Sequence, residues 1–331
     1  MRSPCTLTRR GFLAATAALT AGAAFGVRAA PPWPAGKTIT WVVPYPAGGS
    51  TDVLGRAIAQ QLDTLLATRV IVDNRPGATG TIGAARVARA EPDGLTLLGT
   101  SIGPQAIAPH IMGNLTYDPV ADFAPVILVG TIPHLLVVGT AQPFKTVADL
   151  VAAGKKAPES LAYASGGTGT ILHIQGELLQ QKTGARFLHV PYKGDTPALQ
   201  DTLAGQVQFA FIPAAAALPH VQTGALRALA ATSAQRLPAL PDVPTMKEAG
   251  FDDFVVEQWQ AVFAPVATPA PVIDRLNASI GQALQTPALQ ELSRQLGITL
   301  AGGTPQALDQ TRKADFDKWG KVIREAGIKP A

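Results

Sequence analysis

The fold is decided by the stretch Ile39-Thr40-Trp41-Val42-Val43-Pro44-Tyr45-Pro46-Ala47-Gly48-Gly49-Ser50-Thr51. Its first five residues are nearly all β-formers, which is typical of a strand covered on both faces. Pro44 ends this run, and a turn rich in Gly and Pro follows. From Val53 onward the apolar residues recur at helical spacing. The stretch therefore predicts a strand, a glycine turn and a helix in direct succession.

The stretch Leu161-Ala162-Tyr163-Ala164-Ser165-Gly166-Gly167-Thr168-Gly169-Thr170 repeats this order, and a helix is expected to continue to Gln181. Further strands are predicted at 70–72, 95–99, 187–190, 207–212 and 226–231. Further helices are predicted at 82–90, 196–203, 214–221, 272–284, 288–296 and 305–326. Alternation of this kind indicates an α/β fold with parallel sheets and helices on both faces.

The chain is long enough for two domains after its first residues are removed. Residues 30–137 with 258–331 are predicted to form domain 1, and residues 138–257 to form domain 2. Because no low-complexity linker separates them, we expect crossing strands near 137–139 and 255–260 to join the domains.

Residues 1–29 have the pattern of a cleaved signal peptide. Arg9 and Arg10 precede an uncharged, Ala-rich run, and the small-residue pattern ending at Ala29 predicts cleavage there. The paired arginines in Thr8-Arg9-Arg10-Gly11-Phe12-Leu13 resemble a twin-arginine export signal, and an ordinary secretory signal is the alternative. Both predict a mature protein in the periplasm.

Composition excludes several classes of function. Four of the 27 basic residues and none of the 23 acidic ones lie in the predicted signal, so the mature chain is formally neutral. It keeps no Lys/Arg run, so a nucleic-acid partner is not expected. The single cysteine, Cys5, also lies in the signal, which leaves no thiol nucleophile, disulfide or thiolate metal site.

The two glycine turns are candidate anion sites. The first amides of a helix lack internal acceptors and lie at the positive end of its dipole, and Gly lets a ligand approach the backbone closely. A carboxylate, phosphate or sulfate suits such a position. Neither turn has the third spaced glycine of a dinucleotide motif or a following Gly-Lys-Ser/Thr, so no nucleotide or other cofactor is expected. A small organic anion is the predicted ligand.

Four side chains near the turns have two interpretations each. Asp52 either caps the first helix or accepts a hydrogen bond from the ligand. His173 either faces the ligand or fixes the second turn. Tyr45 and Tyr192 follow predicted strand ends, where each could cover a ligand or pack at the domain surface.

No catalytic or metal-binding constellation is evident. The chain lacks a Gly-x-Ser-x-Gly elbow, and its histidines have no partner at the spacing of a metal site. An exported α/β enzyme acting on small acids remains an alternative, although no nucleophile, base or cofactor supports it.

Several segments resemble the Bug family of solute-binding receptors, which is associated with tripartite tricarboxylate transporters. The similarity covers the whole mature chain in order. It rests on Pro44–Asp52, Asp73–Ala78, Pro92–Gly94, Ala164–His173, His189–Gly194 and Leu240–Thr245.

The resemblance implies a type II periplasmic-binding-protein fold, with two α/β domains, a hinged ligand cleft and C-terminal helices that complete the first domain. It implies that backbone amides in 45–52 and 165–170 hold a carboxylate, partly through water. The predicted ligand-binding residues are Tyr45, Ala47, Gly48, Gly49, Thr51, Asp52, Ser165, Gly166, Gly167, Thr168, Gly169, Thr170, His173 and Tyr192.

The resemblance further implies delivery of the ligand to a membrane permease, and a receptor that closes a cleft on its ligand is expected to work as a monomer. A receptor that reports the ligand to a membrane sensor kinase is the alternative with the same fold. The run Pro213-Ala214-Ala215-Ala216-Ala217 departs from the family, in which a polar residue is frequent there. This departure favours a ligand with an apolar body.

Overall fold

The computed structural model describes residues 33–34 and 36–328, so the predicted signal peptide, 1–29, lies outside the described residues. The strands are β1 Ile39–Val43, β2 Val70–Asn74, β3 Thr96–Ser101, β4 Phe123–Gly139, β5 Ala162–Ser165, β6 Leu188–Pro191, β7 Phe209–Pro213, β8 Leu226–Ala231, β9 Glu257–Pro265 and β10 Thr299–Leu300. The helices are α1 Ser50–Leu65, α2 Thr81–Ala88, α3 Ala108–Ile111, α4 Val147–Lys156, α5 Ile171–Thr183, α6 Asp195–Leu203, α7 Ala214–Gln222, α8 Ala270–Leu284, α9 Pro287–Leu296 and α10 Pro305–Glu325.

Two sheets form the framework. The first sheet has the order β2-β1-β3-β9-β4, with β10 paired to β4, and the second has the order β4-β7-β5-β6, with β8 paired to β4. The pairs β1–β2, β1–β3, β5–β6 and β5–β7 are parallel, as the strand–helix alternation predicts. The strands β4, β8, β9 and β10 pair antiparallel, which the expectation of wholly parallel sheets missed.

Strand β4 belongs to both sheets. It pairs with β9 as far as Pro133 opposite Glu257, and from His134 opposite Pro213 it pairs with β7. The crossing therefore lies slightly before the predicted segment 137–139. The return path lies within the predicted segment 255–260, because β9 begins at Glu257.

The C-terminal helix α10 ties the two sheets together. Trp259 Nε1 donates to Asp315 Oδ2 at 2.8 Å, and Lys318 Nζ donates to the Val255 carbonyl at 2.8 Å. On the side of the second sheet, Gln181 Nε2 on α5 donates to the Val322 carbonyl at 2.8 Å. The largest hydrophobic core likewise contains residues from both sheets. Within residues 36–328, no helix is both long and apolar enough to cross a membrane.

Helix starts differ in a way that matters for ligand binding. Thr146, Thr170, Thr286 and Thr304 each cap a helix with a side-chain oxygen that accepts a backbone N–H. Helix α1 instead begins after Gly49, which has no side chain to cap the helix. Its first amides are therefore left for another partner.

His134 lies at the crossing point and is completely buried. Its Nδ1 accepts a hydrogen bond from Gln175 Nε2 at 3.0 Å, and its backbone amide donates to Thr232 Oγ1 at 3.0 Å. Burial lowers the pKa of the His134 imidazole to about 3. The ring is therefore neutral at physiological pH in the folded protein.

We predict that Gly130→Ala destabilises the protein. A Cβ atom at position 130 would lie 2.6 Å from the Thr299 carbonyl oxygen, so β10 would have to move away from β4. Overpacking of this kind costs about 1–3 kcal/mol. The control is Gly281→Ala on α8, where a Cβ atom would meet Ile127 at an ordinary 3.7 Å. Thermal denaturation of both variants tests this, and an unchanged Tm for Gly130→Ala would contradict it.

A second prediction concerns the dependence of stability on pH. Because the pKa of His134 is lower in the folded state than the ordinary 6.5, the unfolded chain takes up the proton first, and stability falls as pH drops below about 6.5. At pH 5 this one histidine accounts for a loss of about 2 kcal/mol relative to pH 7. Urea unfolding at the two pH values should show a loss smaller by that amount in His134→Gln. Equal losses in the two proteins would contradict a neutral, buried ring.

Candidate anion site at two glycine loops

Both predicted loops lie at the carboxyl ends of parallel strands. The first loop, residues 44–49, joins β1 to α1, and the second loop, residues 166–170, joins β5 to α5. Ligands of open α/β sheets bind beyond these strand ends. The loops therefore occupy the positions at which this fold presents helix N-termini to a ligand.

A buried carboxylate holds the first loop. Asp52 Oδ2 accepts the Gly48 amide at 2.8 Å, and Asp52 Oδ1 accepts Asn74 Nδ2 at 2.9 Å. Arg56 forms an ion pair with Asp52 at 3.0 Å. Asn74 Nδ2 also lies 3.1 Å from the Tyr45 carbonyl, so it links β2 to the same loop. Gly48 has the left-handed φ of +88° that this arrangement needs.

The contacts of Asp52 favour a structural role over direct contact with a ligand. Burial by itself would raise the pKa of its carboxyl group, but hydrogen bonds from Arg56, Gly48 and Asn74 outweigh burial and lower the pKa below its usual value. Its side chain is only 3 % exposed and faces the loop and Arg56. Asp52 is thus an ionised structural group that fixes the loop from behind.

At the start of α1, the amides of Gly49, Ser50, Thr51 and Asp52 have no acceptor among the described residues. The Gly48 amide is occupied by Asp52, so Gly48 contributes its conformation. Ala47, Gly48 and Gly49 are exposed. Unpaired N–H groups at a helix start attract an anion.

Tyr45 packs beneath the first loop. Its hydroxyl group shares a hydrogen bond with Ser101 Oγ at 2.6 Å, at the carboxyl end of β3. Burial raises the pKa of the Tyr45 phenol, so the hydroxyl stays protonated. A Cβ atom at Gly103 would lie 3.3 Å from that hydroxyl oxygen, which shows how closely the loop after β3 approaches it.

The second loop is fixed by its own side chains. Thr170 Oγ1 donates to the Gly167 carbonyl at 2.8 Å and accepts the His173 amide at 3.4 Å. Gly167 and Gly169 have positive φ angles of 134° and 79°. The amides of Gly166 and Thr168 have no acceptor within the described part of the chain. They are the donors that this loop leaves for an anion.

Two stacked histidines lie behind the second loop. The rings of His173 and His189 are 3.9 Å apart. His173 Nδ1 accepts the Gly169 amide at 3.1 Å, and His189 Nε2 shares a hydrogen bond with Ser165 Oγ at 2.7 Å. Burial, and secondarily the charge of His189, lowers the pKa of His173 to about 3, and burial lowers the pKa of His189 to about 4.

This geometry favours the interpretation in which His173 fixes the second turn. The residue is 5 % exposed and its ring nitrogen holds Gly169, so it fixes the turn. Ser165 is completely buried and serves the same loop through Gly167 and His189. The Gly169 hydrogen bond requires a His173 ring without a proton on Nδ1, because a proton there would meet the Gly169 N–H.

Tyr192 belongs to a third segment beside the second loop. Its hydroxyl donates to Asp201 Oδ2 at 2.6 Å, and burial together with that carboxylate raises the pKa of Tyr192 to about 12. Its amide donates to the Ser165 carbonyl at 2.9 Å, and the Gly194 amide donates to the Gly166 carbonyl at 3.1 Å. Residues 192–194 therefore brace the second loop.

The predicted residues thus form two internally bonded groups, one around each loop. Within residues 36–328, no side-chain hydrogen bond joins the first group to the second. Gly169 of the second loop does pack against Ile111 of α3, so closely that a Cβ atom on Gly169 would overlap the Ile111 side chain. The second loop is therefore adjacent to the helical layer of the first sheet.

Sequence reasoning missed the residues that support the loops, namely Arg56, Asn74, Ser101, His189, Asp195 and Gln260. Gln260 Oε1 accepts Thr51 Oγ1 at 2.9 Å, and the Asp195 carboxylate lies against Gly166. Asp195 had a usable signal, since Tyr192-Lys193-Gly194-Asp195 is a third strand–glycine–helix turn. Arg56 lies one turn after Asp52 on α1, and Asn74, Ser101, His189 and Gln260 are remote in sequence from the loops they support.

The alanine run after β7 has a packing role. Ala214 and Ala217 are buried, and a Cβ atom on Gly297 would lie 2.6 Å from the Ala215 methyl group. Small residues here let α7 approach the end of α9 closely. Among the described residues, no group of three His, Cys, Asp or Glu side chains is placed to hold a metal ion.

Comparison with known proteins agrees with this architecture. The sequence model of the family described as "Tripartite tricarboxylate transporter family receptor" matches residues 54–328. Among curated proteins, BugT of Bordetella pertussis is 39 % identical over 297 residues, which cover 88 % of this chain and 90 % of BugT.

Solved structures show the same fold. The Rhodopseudomonas palustris protein Rpa4515, in a structure with adipate, superposes with a TM-score of 0.78 at 35 % identity, covering 90 % of this chain and all of that one. MatC from the same organism, with bound malate, superposes with a TM-score of 0.74 at 32 % identity, covering 86 % and 98 %.

The family match spans residues 54–328, which is most of the chain. The chain belongs to the tripartite tricarboxylate transporter receptor family of periplasmic solute-binding proteins.

Proposed function

We propose that this protein captures a small organic carboxylate between the backbone amides of its two glycine loops. The observation that carries the proposal is the set of amides without acceptors. Those of Gly49, Ser50 and Thr51 lie at the start of α1, and those of Gly166 and Thr168 lie in the second loop. Such donors at helix starts favour a compact anion.

The placement of charge supports an anionic ligand. Asp52 is ionised, but its carboxylate is turned toward Gly48, Asn74 and Arg56, so it does not compete for the free amides. Similar proteins of known structure were solved with adipate and with malate, and both of these ligands are carboxylates. Behind the second loop, His173 and His189 are unprotonated at neutral pH. The acidic group at this loop is Asp195, which lies against Gly166, and burial raises the pKa of its carboxyl group.

The predicted site residues divide into two roles in this proposal. Gly49, Thr51, Gly166 and Thr168 supply amides to the ligand. The remaining ones shape or brace the loops, and they are Tyr45, Ala47, Gly48, Asp52, Ser165, Gly167, Gly169, Thr170, His173 and Tyr192. Water bridges between amides and ligand would add selectivity without further side-chain charge.

Delivery to a membrane permease follows from the family and is part of the proposal. Residues 30–137 with 258–331, and residues 138–257, would close on the ligand as two domains about the crossing in β4. The closed form would be presented by an exported monomer in the periplasm. Closure requires contacts made only in the closed state, and one anion bound by both loops would provide them.

A thermal-shift experiment tests the ligand class. The mature protein is unfolded, dialysed and refolded to remove any bound solute, and is then mixed with adipate, malate or their neutral diamides. A carboxylate at about 100 times its dissociation constant should stabilise the fold by roughly 2.7 kcal/mol. For a protein of this size the rise in Tm is roughly 4 °C.

The diamides serve as the control, because they keep the size of each ligand and lose its charge. Equal shifts with acid and diamide, or no shift across a wider carboxylate panel, would contradict the proposed anion site.

A second prediction concerns the close approach of the ligand to the first loop. Gly49 has an ordinary φ of −73°, and a Cβ atom there would meet only the Pro46 carbonyl oxygen, at 3.7 Å. Gly49→Ala should therefore fold normally while its methyl group obstructs the free amides. We expect the dissociation constant to rise at least about tenfold, or 1.4 kcal/mol.

Calorimetric titration of Gly49→Ala beside Gly281→Ala measures this effect. Gly281 lies on α8 away from both loops, so its variant should bind as the wild type does. Wild-type affinity in Gly49→Ala would exclude direct contact between the ligand and the start of α1.

A further inference from the structure

A small polar cavity lies between α1 and the first sheet, beneath the start of the first loop. Its volume is about 10 Å³, enough for one water molecule. The residues with polar side chains that line it are Trp41, Thr51, Thr100 and Gln260. Apolar groups of α1 and β4 close the remaining sides.

Two N–H donors at this cavity lack acceptors. Trp41 Nε1 and Gln260 Nε2 are both buried, and neither has a hydrogen-bond partner among the described residues. Gln260 Oε1 accepts Thr51 Oγ1 at 2.9 Å, which sets the orientation of the amide and directs Nε2 away from Thr51. A buried donor without an acceptor costs about as much as a lost hydrogen bond.

The glycines around the indole explain why the cavity persists. A Cβ atom on Gly55 would lie 2.9 Å from Trp41 Nε1, and one on Gly99 would overlap it. Both positions therefore need a residue without a side chain, so that the indole N–H can reach the cavity.

We propose that this cavity is a binding site for a single water molecule, which accepts hydrogen bonds from Trp41 Nε1 and Gln260 Nε2. A water oxygen accepts two such bonds, and its own protons suit the hydroxyl oxygen of Thr100 or Thr51, both of which line the cavity. A cation is excluded by the two N–H donors, and an apolar atom would leave both donors unpaired.

The water adds β1 to a contact between α1 and β9 that the Thr51–Gln260 hydrogen bond already makes. Trp41 lies on β1, Gln260 lies on β9, and Thr51 lies in the first turn of α1. Gln260 also pairs with Ser101, whose hydroxyl group holds Tyr45. The bound water and Gln260 thus position the first loop relative to the strand that returns between the sheets.

A crystal structure of the wild-type mature protein at about 1.5 Å resolution tests the site directly. We expect one ordered water within 2.7–3.2 Å of both nitrogen atoms. An empty cavity would overturn the proposal. So would a Gln260 amide turned by half a rotation, with its oxygen accepting the Trp41 N–H directly.

A pair of matched variants tests the energetic part. Trp319 Nε1 is also buried without a partner among the described residues, but Trp319 does not line the cavity. We expect Trp41→Phe to lower the Tm by roughly 3 °C more than Trp319→Phe does, because only Trp41→Phe removes a donor to the water. Equal decreases would overturn the proposal. If Trp41→Phe does not fold, an NMR cross-peak between the Trp41 indole proton and a long-lived water in the wild type replaces it, and its absence counts against the site.

Discussion

The passage of one strand through both sheets is the constraint on which the rest of this structure depends. Strand β4 runs for 17 residues, pairing with β9 as far as Pro133 and with β7 from His134 onward. A strand shared in this way fixes the relative position of β1 and β5, whose carboxyl ends begin the two glycine loops. Helix α10 strengthens the connection by bonding to both sides, through Asp315 and Val322. The positions of the two loops therefore depend on the pairing of β4 and the contacts of α10, which lie away from the loops.

Side chains hold each loop from behind and leave its amides free. Asp52 serves the first loop and His173 serves the second, each accepting one glycine amide. One group is a carboxylate kept ionised by hydrogen bonds, and the other is an imidazole kept neutral by burial. The two solutions have the same effect, because the loop conformation is set before a ligand arrives. Preorganised amides lose little freedom on binding, which improves affinity.

Much of the fold could be predicted because local pattern and tertiary structure agree. Strands β1 and β5 are short apolar runs that end at glycine turns, and both lie where the sequence predicts them. Strand β4 escaped prediction because Pro125, Gly130 and Pro133 interrupt its apolar run, and these residues usually mark loops. They are tolerated here since the strand bends and changes partners in the same region. Helix α4 was also missed, although its Thr146 and Asp149 form a capping box.

By itself, the sequence determined that two strand–glycine–helix units exist and that their glycines allow left-handed turns. These are local properties, since φ and helix starts depend on neighbouring residues. Only the tertiary structure decided which amides remain free for a ligand. Asn74, Gln260 and His189 reach the loops from distant elements, and each determines how a polar group near a loop is satisfied. Such partners compete for the same donors and acceptors, and packing alone brings them within bonding distance.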